Sequence, residues 1–159
     1  MNNDIFDYLA SSYRSLYCSM HQIEKFVDKE DWKTAAKYLR DPLEDMLKHL
    51  YQKYSCSLEH TTAFHKINIL RDAKIISPES ANNYHIIRKL ENKANHSEDP
   101  KYKYFVFNEY SVMNEFVLLI EETLVFQRGY MKDCVPNGKA RILEAEEKEK
   151  QRGRYEKKY

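Results

Sequence analysis

The residues best suited to chemistry are concentrated in one short stretch, HIIRKLENKANH. Five polar side chains recur in it at helical spacing, and we call them the polar stripe: His85, Arg88, Lys89, Asn92 and His96. At 100° per residue they share one helix face about 100° wide. Arginine binds phosphate, histidine transfers protons near neutral pH, and asparagine orients a partner through hydrogen bonds. The spacing predicts a surface that binds nucleic acid or a partner protein, or a catalytic site with Arg88, Asn92 and His96 as candidates.

The polar stripe also has two interpretations that need no ligand. Most amphipathic helices turn a polar face to water, and most such faces have no further role. Alternatively, Arg88 forms a structural ion pair with Glu44 and holds two helices together.

The chain contains no familiar motif for a metal or a cofactor. It lacks GxGxxG, GxxxxGK[ST], HExxH and GxSxG, the motifs of common nucleotide, zinc-protease and serine-hydrolase sites. His60 and His65 are five residues apart, on different faces of a helix, so they are not expected to share a metal. Cys18, Cys56 and Cys134 form no CxxC pair, which indicates reduced thiols. We therefore expect neither a cofactor nor a metal.

The helix that must carry the polar stripe is predicted over residues 78–95. Ser77 precedes a proline and is disfavoured inside a helix, so the helix begins at Pro78, and the segment SEDP ends it. The apolar residues opposite the stripe are predicted to face the core: Ile86, Ile87, Leu90 and Ala94.

Two helices are predicted before residue 55. The first covers about residues 4–29, is capped by Asp4 and turns Ile5 inward. The second region, about residues 31–54, is capped by Asp31. Within it, Pro42 either kinks one long helix or begins a new helix after an N-cap at Asp41.

Two further helices complete the predicted bundle. One covers about residues 57–74, with Ser57 as its cap and Leu58 as a core residue. The other covers about residues 108–130. Before it, the segment KYKYFVF alternates polar and aromatic residues as a strand does, but it has no strand partner. We therefore expect an extended loop packed by its aromatic rings.

Residues 1–132 are thus predicted to form one helical domain, followed by a linker and charged tail over residues 133–159. The tail offers no evident apolar face, so it is expected to be a solvated helix or disordered. Its last residues, KEKQRGRYEKKY, fit either a solubilising end or an electrostatic arm for phosphate backbones.

Composition favours an all-α fold, a compact bundle of about five helices. The chain has 159 residues but only 3 Gly and 4 Pro, too few for a turn-rich β fold. Its 26 basic and 25 acidic residues balance, which argues against a globally basic nucleic-acid binder and leaves a local patch open. The N-terminus lacks a signal-peptide pattern, and the apolar run Phe116–Ile120 is far shorter than the ~20 residues of a membrane span. We expect a cytoplasmic protein without a membrane contact.

The stretch FHKINILRDAKIISPESANNYHIIRKLENKANHS resembles a known helical domain. It is similar to the domain-of-unknown-function family 4145, which also forms the N-terminus of the motor subunit of type I restriction enzymes. The family pattern reads "I..L...G.I", then Pro, then "LH.IR..GN.A.H". Upstream, Arg40 and Glu44 stand at matching places, and the similarity covers roughly residues 4–127. Glu91 replaces the usual glycine of the pattern.

The family looks like a branch of the HEPN superfamily, whose helical bundles often dimerise. The resemblance implies a HEPN-like homodimer, and aromatic residues on the first and last predicted helices suit such an interface. Many HEPN proteins are metal-independent ribonucleases with an Arg, four to six residues, and a His. Here seven residues separate Arg88 from His96, and Lys89, at the right spacing, lacks bidentate phosphate chemistry.

Three functions follow from these residues and this resemblance. The first is a non-catalytic HEPN-like interaction module in restriction or anti-phage defence, which binds RNA, DNA or a partner subunit; the motif spacing favours it. The second is a toxin-like endoribonuclease, with His96 as general base, Arg88 on the phosphate charge and Asn92 as orienting residue. The third is a purely structural helical adaptor.

Overall fold

Helices make up most of the molecule. The structure is a computed structural model, and it describes residues 4–57 and 61–152. Its α-helices are α1 (Arg14–Asp28), α2 (Trp32–Tyr38), α3 (Arg40–Lys53), α4 (Ala63–Asp72), α5 (Pro78–Asn95), α6 (Glu109–Val125) and α7 (Gly138–Gln151). These two ranges contain no β-strand, so the predicted all-α fold is confirmed. Among the helices described, none is both long and apolar enough to cross a membrane.

The helix α5 lies at the centre of the bundle. It packs against α6, α4, α2 and α3, while α1 packs against α2 and α3. Its ends, Pro78 and Asn95, are those predicted from the sequence. The Ser77 hydroxyl accepts the Ser80 N–H at 3.0 Å, and Pro78 occupies the first helical position, where no N–H is needed. The core residues along it are Ala81, Tyr84, Ile87, Leu90 and Ala94.

The first long helix begins later than predicted. It starts at Arg14, because the segment before it folds back onto the helix. The Asp4 carboxylate accepts the Phe6 N–H at 2.9 Å and lies 2.9 Å from His21 Nε2 on α1. Phe6 therefore enters the core, and Ile5, predicted to point inward, is exposed. Asp4 anchors this fold-back instead of capping a long helix.

Pro42 lies near the start of a separate helix, which is one of its two predicted placements. Leu39 separates α2 from α3, so the predicted region forms two helices. Pro42 is the third residue of α3, where its missing N–H disturbs no helical hydrogen bond. The predicted N-cap is wrong, because Leu39 rather than Asp41 precedes the helix. Asp31 caps α2 as predicted, accepting the Thr34 N–H at 3.3 Å.

The helix α4 also begins later than predicted. Thr62, rather than Ser57, caps it, since the Thr62 hydroxyl accepts the His65 N–H at 3.5 Å. Leu58, predicted as a core residue, and His60 lie outside the described residues.

The segment KYKYFVF is a loop that begins with a 3-10 turn, Pro100–Tyr102. Phe105 and Phe107 pack against the core, with their ring centres 4.8 Å apart. Tyr104 and Val106 point outward, so the prediction of an aromatic-packed loop holds for every second residue only.

The helix α7 contradicts the expectation that the chain after residue 132 has no apolar face. Ile142, Ala145 and Glu149 are buried where α7 packs against α4. At its start, a Cβ on Gly138 would lie 2.3 Å from the Tyr54 ring, so only glycine fits there. The sequence pattern hides this face because one of its members is charged. The last seven residues of the tail lie outside the described chain.

A π-helical turn, Phe126–Tyr130, joins α6 to the first turn of α5. The Tyr130 hydroxyl donates to Ser80 Oγ at 2.6 Å and accepts the Ser77 N–H at 3.0 Å. The end of α6 is thereby fastened to the cap of the central helix.

Candidate functional site

The exposed strip of α5 is rotated away from the predicted polar stripe. Ile86, predicted to face the core, is 37% exposed, whereas Arg88 is only 4% exposed. The strip that reaches solvent follows Ile86, Lys89, Lys93 and His96. At 100° per residue its centre lies about 60° from the centre of the predicted stripe. The rotation arises because α2, α3, α4 and α6 cover the other sides of α5.

Arg88 is buried between α5 and α4. Its Nε donates to His85 Nδ1 at 3.2 Å, and its guanidinium carbon lies 5.2 Å from the centre of the Phe64 ring, a cation–π contact. Burial lowers the pKa of Arg88, although a guanidinium stays charged at neutral pH. With the Asn92 amide oriented to satisfy both neighbours, its oxygen accepts from Arg88 Nη1 at 3.2 Å and its nitrogen donates to Glu91 at 3.3 Å.

His85 connects Arg88 to α4. Its Nδ1 accepts from Arg88, and its Nε2 donates to Asn68 Oδ1 at 2.9 Å, which assigns the neutral tautomer protonated at Nε2. Burial lowers the pKa of His85 to about 4, with smaller contributions from nearby cations. His85 is therefore uncharged at neutral pH, where it relays hydrogen bonds between Arg88 and Asn68.

The hydrogen bonds continue from α4 to α7. Asn68 Nδ2 donates to Glu149 Oε2 at 3.3 Å, and His65 Nδ1 lies 3.1 Å from the same oxygen. A buried carboxylate needs such donors, so these contacts hold α7 on α4. We call the whole chain of contacts the α4–α5–α7 network, formed by Arg88, His85, Asn68, Glu149 and His65.

The polar stripe predicted only two members of this network. His65 and Asn68 are three residues apart in α4, in register with its apolar residues, and both are buried. Glu149 continues the helical spacing of Ile142 and Ala145. A polar residue in register with core positions is the signal that could have found them.

The predicted ion pair between Glu44 and Arg88 is not formed. Among the described residues, Glu44 Oε1 instead lies 3.4 Å from Arg40 Nε, with both side chains half-exposed. Arg88 instead contacts the Phe64 ring on α4. Arg40, Glu44 and Arg88 still line one cleft of about 280 Å³. Glu91, which replaces the family's glycine, lies in the wall of this cleft, and burial raises the pKa of its carboxyl.

Arg88 and His96 lie at different places along α5. Their backbones are eight positions apart, a rise of about 12 Å along the helix axis. Arg88 is buried, whereas His96 is exposed at the end of α5, where its N–H donates to the Asn92 carbonyl at 2.9 Å. The structure brings together Arg88, His85 and Asn92, and it leaves Lys89 and His96 outside.

A family model matches most of the chain. Its description is Domain of unknown function (DUF4145), and it covers residues 21–150. The chain belongs to this family. The matched range of the DUF4145 domain crosses the predicted boundary at residue 132 and contains the whole α4–α5–α7 network. No curated protein and no solved structure matches the chain.

This DUF4145 domain carries a second group of polar and aromatic side chains on the outer side of α5. The Lys93 Nζ lies 4.4 Å from the centre of the Phe105 ring, which fixes the loop after α5 against the helix. A cleft of about 330 Å³ runs between α5, this loop and α6. Lys89, Lys93 and Tyr110 line this cleft, and the exposed residues Lys103 and Tyr104 lie on the adjoining loop; we call these five residues the lysine–tyrosine face.

Proposed function

We propose that the protein is a non-catalytic, HEPN-like interaction module that serves restriction or anti-phage defence by binding nucleic acid or a partner subunit. The observation that carries this proposal is the contrast within α5: its arginine is buried, while its lysines border an exposed surface. We place the module in the cytoplasm, a compartment in which free thiols such as those of Cys18, Cys56 and Cys134 persist.

The proposal makes a direct prediction about purification. Tagged protein isolated from its host should retain a nucleic acid or a defence subunit that the tag alone does not retain. A chain that retains neither would instead favour the purely structural adaptor.

The alternative of a metal-independent endoribonuclease requires Arg88 and His96 to act on one phosphate. Arg88 is already held by His85 and Phe64, and His96 lies about two helical turns away. We therefore expect no cleavage of a labelled RNA in the presence of EDTA, for wild type and for His96→Ala alike. Cleavage that disappears in His96→Ala and with a 2′-deoxy substrate would overturn the non-catalytic proposal.

A symmetric homodimer is part of the same proposal. The outer side of α6 exposes Val117 (46%) and Val125 (41%), whereas α1 uses its aromatic rings within the chain, as in the stack of Phe26 on Tyr38 at 5.2 Å. Light scattering should give twice the 19.1 kDa of one chain, and Val117→Lys should return the protein to that mass. Wild type that scatters as a monomer at micromolar concentration counts against the dimer.

A further inference from the structure

The lysine–tyrosine face exposes two large aromatic rings. Tyr104 is 87% exposed and Tyr110 is 84% exposed, and between them in the chain Val106 is 64% exposed. Neither ring belongs to the α4–α5–α7 network. A flat ring that is open on its face can stack on another planar group.

Lysines accompany the aromatic rings of this face. The Lys103 Nζ lies 5.5 Å from the centre of the Tyr104 ring, and the Lys93 Nζ lies over Phe105. Lys89 and Lys93 line the cleft on the α5 side, and Tyr110 lines it on the α6 side. The surface therefore offers rings for stacking beside positive charges.

The acidic residue within this cleft weakens its positive charge only in part. Glu115 lines the cleft together with Lys89 and Lys93, and burial raises the pKa of the Glu115 carboxyl. The two ammonium groups outnumber the single carboxylate, so an anionic group is the ligand that this cleft favours.

The composition of the face distinguishes nucleic acid from a protein partner. Lysine is depleted at protein interfaces, yet Lys89 and Lys93 line the cleft and Lys103 lies on the adjoining loop. Exposed aromatic rings beside cationic side chains are the usual platform for single strands, because bases stack on the rings and phosphates meet the cations. A duplex keeps its bases stacked on one another and cannot use the rings in this way.

We infer that the lysine–tyrosine face binds single-stranded nucleic acid, with unstacked bases on Tyr104 and Tyr110 and phosphates on Lys89, Lys93 and Lys103. This inference rests on the proposed function and specifies its ligand. RNA and single-stranded DNA share the groups that the face contacts, so both are included in the test.

The test measures fluorescence anisotropy with labelled oligouridine and oligothymidine of about 15 nucleotides, a length in the range of known single-strand sites. Both strands should bind, and a DNA duplex of equal length should bind more weakly. The double substitution Tyr104→Ala, Tyr110→Ala should weaken binding by roughly tenfold for each ring. Leu143→Ala, which removes an exposed apolar side chain from α7, is the matched control and should bind as wild type does.

A second pair of variants tests the phosphate contacts. The double substitution Lys89→Gln, Lys103→Gln should reduce the salt dependence of binding, by about 0.7 per lost phosphate contact in the slope of log affinity against log salt. The control Lys139→Gln removes one positive charge from an exposed position on α7 and should leave the slope unchanged. Unfolding curves for all variants should overlay that of wild type, since these side chains are exposed or half-exposed.

Two outcomes overturn the inference. The first is affinity unchanged by the tyrosine substitutions, and the second is no binding of either single strand at low salt. If a copurifying protein is lost from the tyrosine variant while no nucleic acid binds, the inference fails but the interaction module stands. His96-dependent RNA cleavage is read out separately and would overturn the proposed function itself.

Discussion

Arg88 and Lys89 are neighbouring cations on the same helix, yet they belong to two different regions of the molecule. Arg88 is 4% exposed and is a member of the α4–α5–α7 network, while Lys89 is exposed on the lysine–tyrosine face. A step of 100° around the helix axis separates them. The contrast shows that the helices packed around a cation, rather than its charge, decide whether it is buried or exposed.

The two side chains also suit these environments chemically. The guanidinium of Arg88 is planar and weakly hydrated, so it can stack on Phe64 and donate to His85 inside the protein. The ammonium of Lys89 is compact and strongly hydrated, which favours a position in water. We therefore expect substitutions at the two positions to differ sharply, and the following predictions are arranged from the largest effect to the smallest.

Arg88→Ala should destabilise the fold by about 2–4 kcal/mol, because it removes a buried guanidinium, leaves the His85 Nδ1 without its donor and removes the contact with Phe64. Lys89→Ala, one residue away, should change stability by less than about 0.5 kcal/mol. Urea unfolding of both variants measures the difference. Equal effects would show that the two sides of α5 are not distinct.

Glu149→Ala should destabilise by about 2–3 kcal/mol, since buried donors on His65 and Asn68 lose their acceptor. The control Glu147→Ala removes an exposed carboxylate two residues earlier and should be close to neutral. Combining Glu149→Ala with Asn68→Ala should cost less than the sum of the single losses, because the two residues share a contact. If the two stability losses add, Glu149 and Asn68 do not act as one network.

Acid should destabilise the network through His85. The pKa of His85 is about 4 in the folded chain against an ordinary value of 6.5, so the unfolded chain takes up the proton first. The contribution of neutral His85 to the free energy of unfolding is fully present above pH 6.5 and is lost as the pH falls toward 4. The half-exposed ring limits the loss to roughly 1–2 kcal/mol.

The variant His85→Gln isolates this effect. A glutamine can accept from Arg88 and donate to Asn68 without titrating. Glu91 has a raised pKa and acts in the opposite sense at low pH, so the informative quantity is the difference between wild type and variant. Denaturant unfolding at pH 7 and at pH 4.5 should show a smaller decrease for His85→Gln. If the stability of wild type and of His85→Gln decreases equally, His85 is not the source of the acid sensitivity.

His96→Ala should have the smallest effect, within about 0.5 kcal/mol, because the side chain is exposed at the end of α5. Thermal unfolding provides the measurement. A loss of stability above 1 kcal/mol would show that His96 contributes to the fold as the buried network does.

Local signals were sufficient to predict the ends of α5. Ser77 and Pro78 act within the first turn of the helix, and a sequence shows them directly. A helical wheel, however, gives angles between side chains and not the direction of solvent. That direction depends on how four other helices pack around α5, which is why Ile86 and Arg88 were assigned to the wrong sides.

The network was less predictable because its members meet across long separations. His65 and Glu149 are 84 residues apart, and no local pattern joins them. The many charges of residues 139–151 predicted a solvated tail, and only the donors on α4 make the burial of Glu149 favourable. Tyr104 and Tyr110 could be read from the sequence as aromatic, but their exposure depends on how the loop packs.

The π-helical turn after α6 bears on which insertions and deletions the family tolerates. Such a turn holds one residue more than an α-helical turn. Deleting one residue from Phe126–Tyr130 would swing Tyr130 by about 100° around the axis and draw it back by about 1.5 Å, out of reach of Ser77 and Ser80. In relatives without the extra residue, the first turn of the central helix is expected to lack these tyrosine hydrogen bonds.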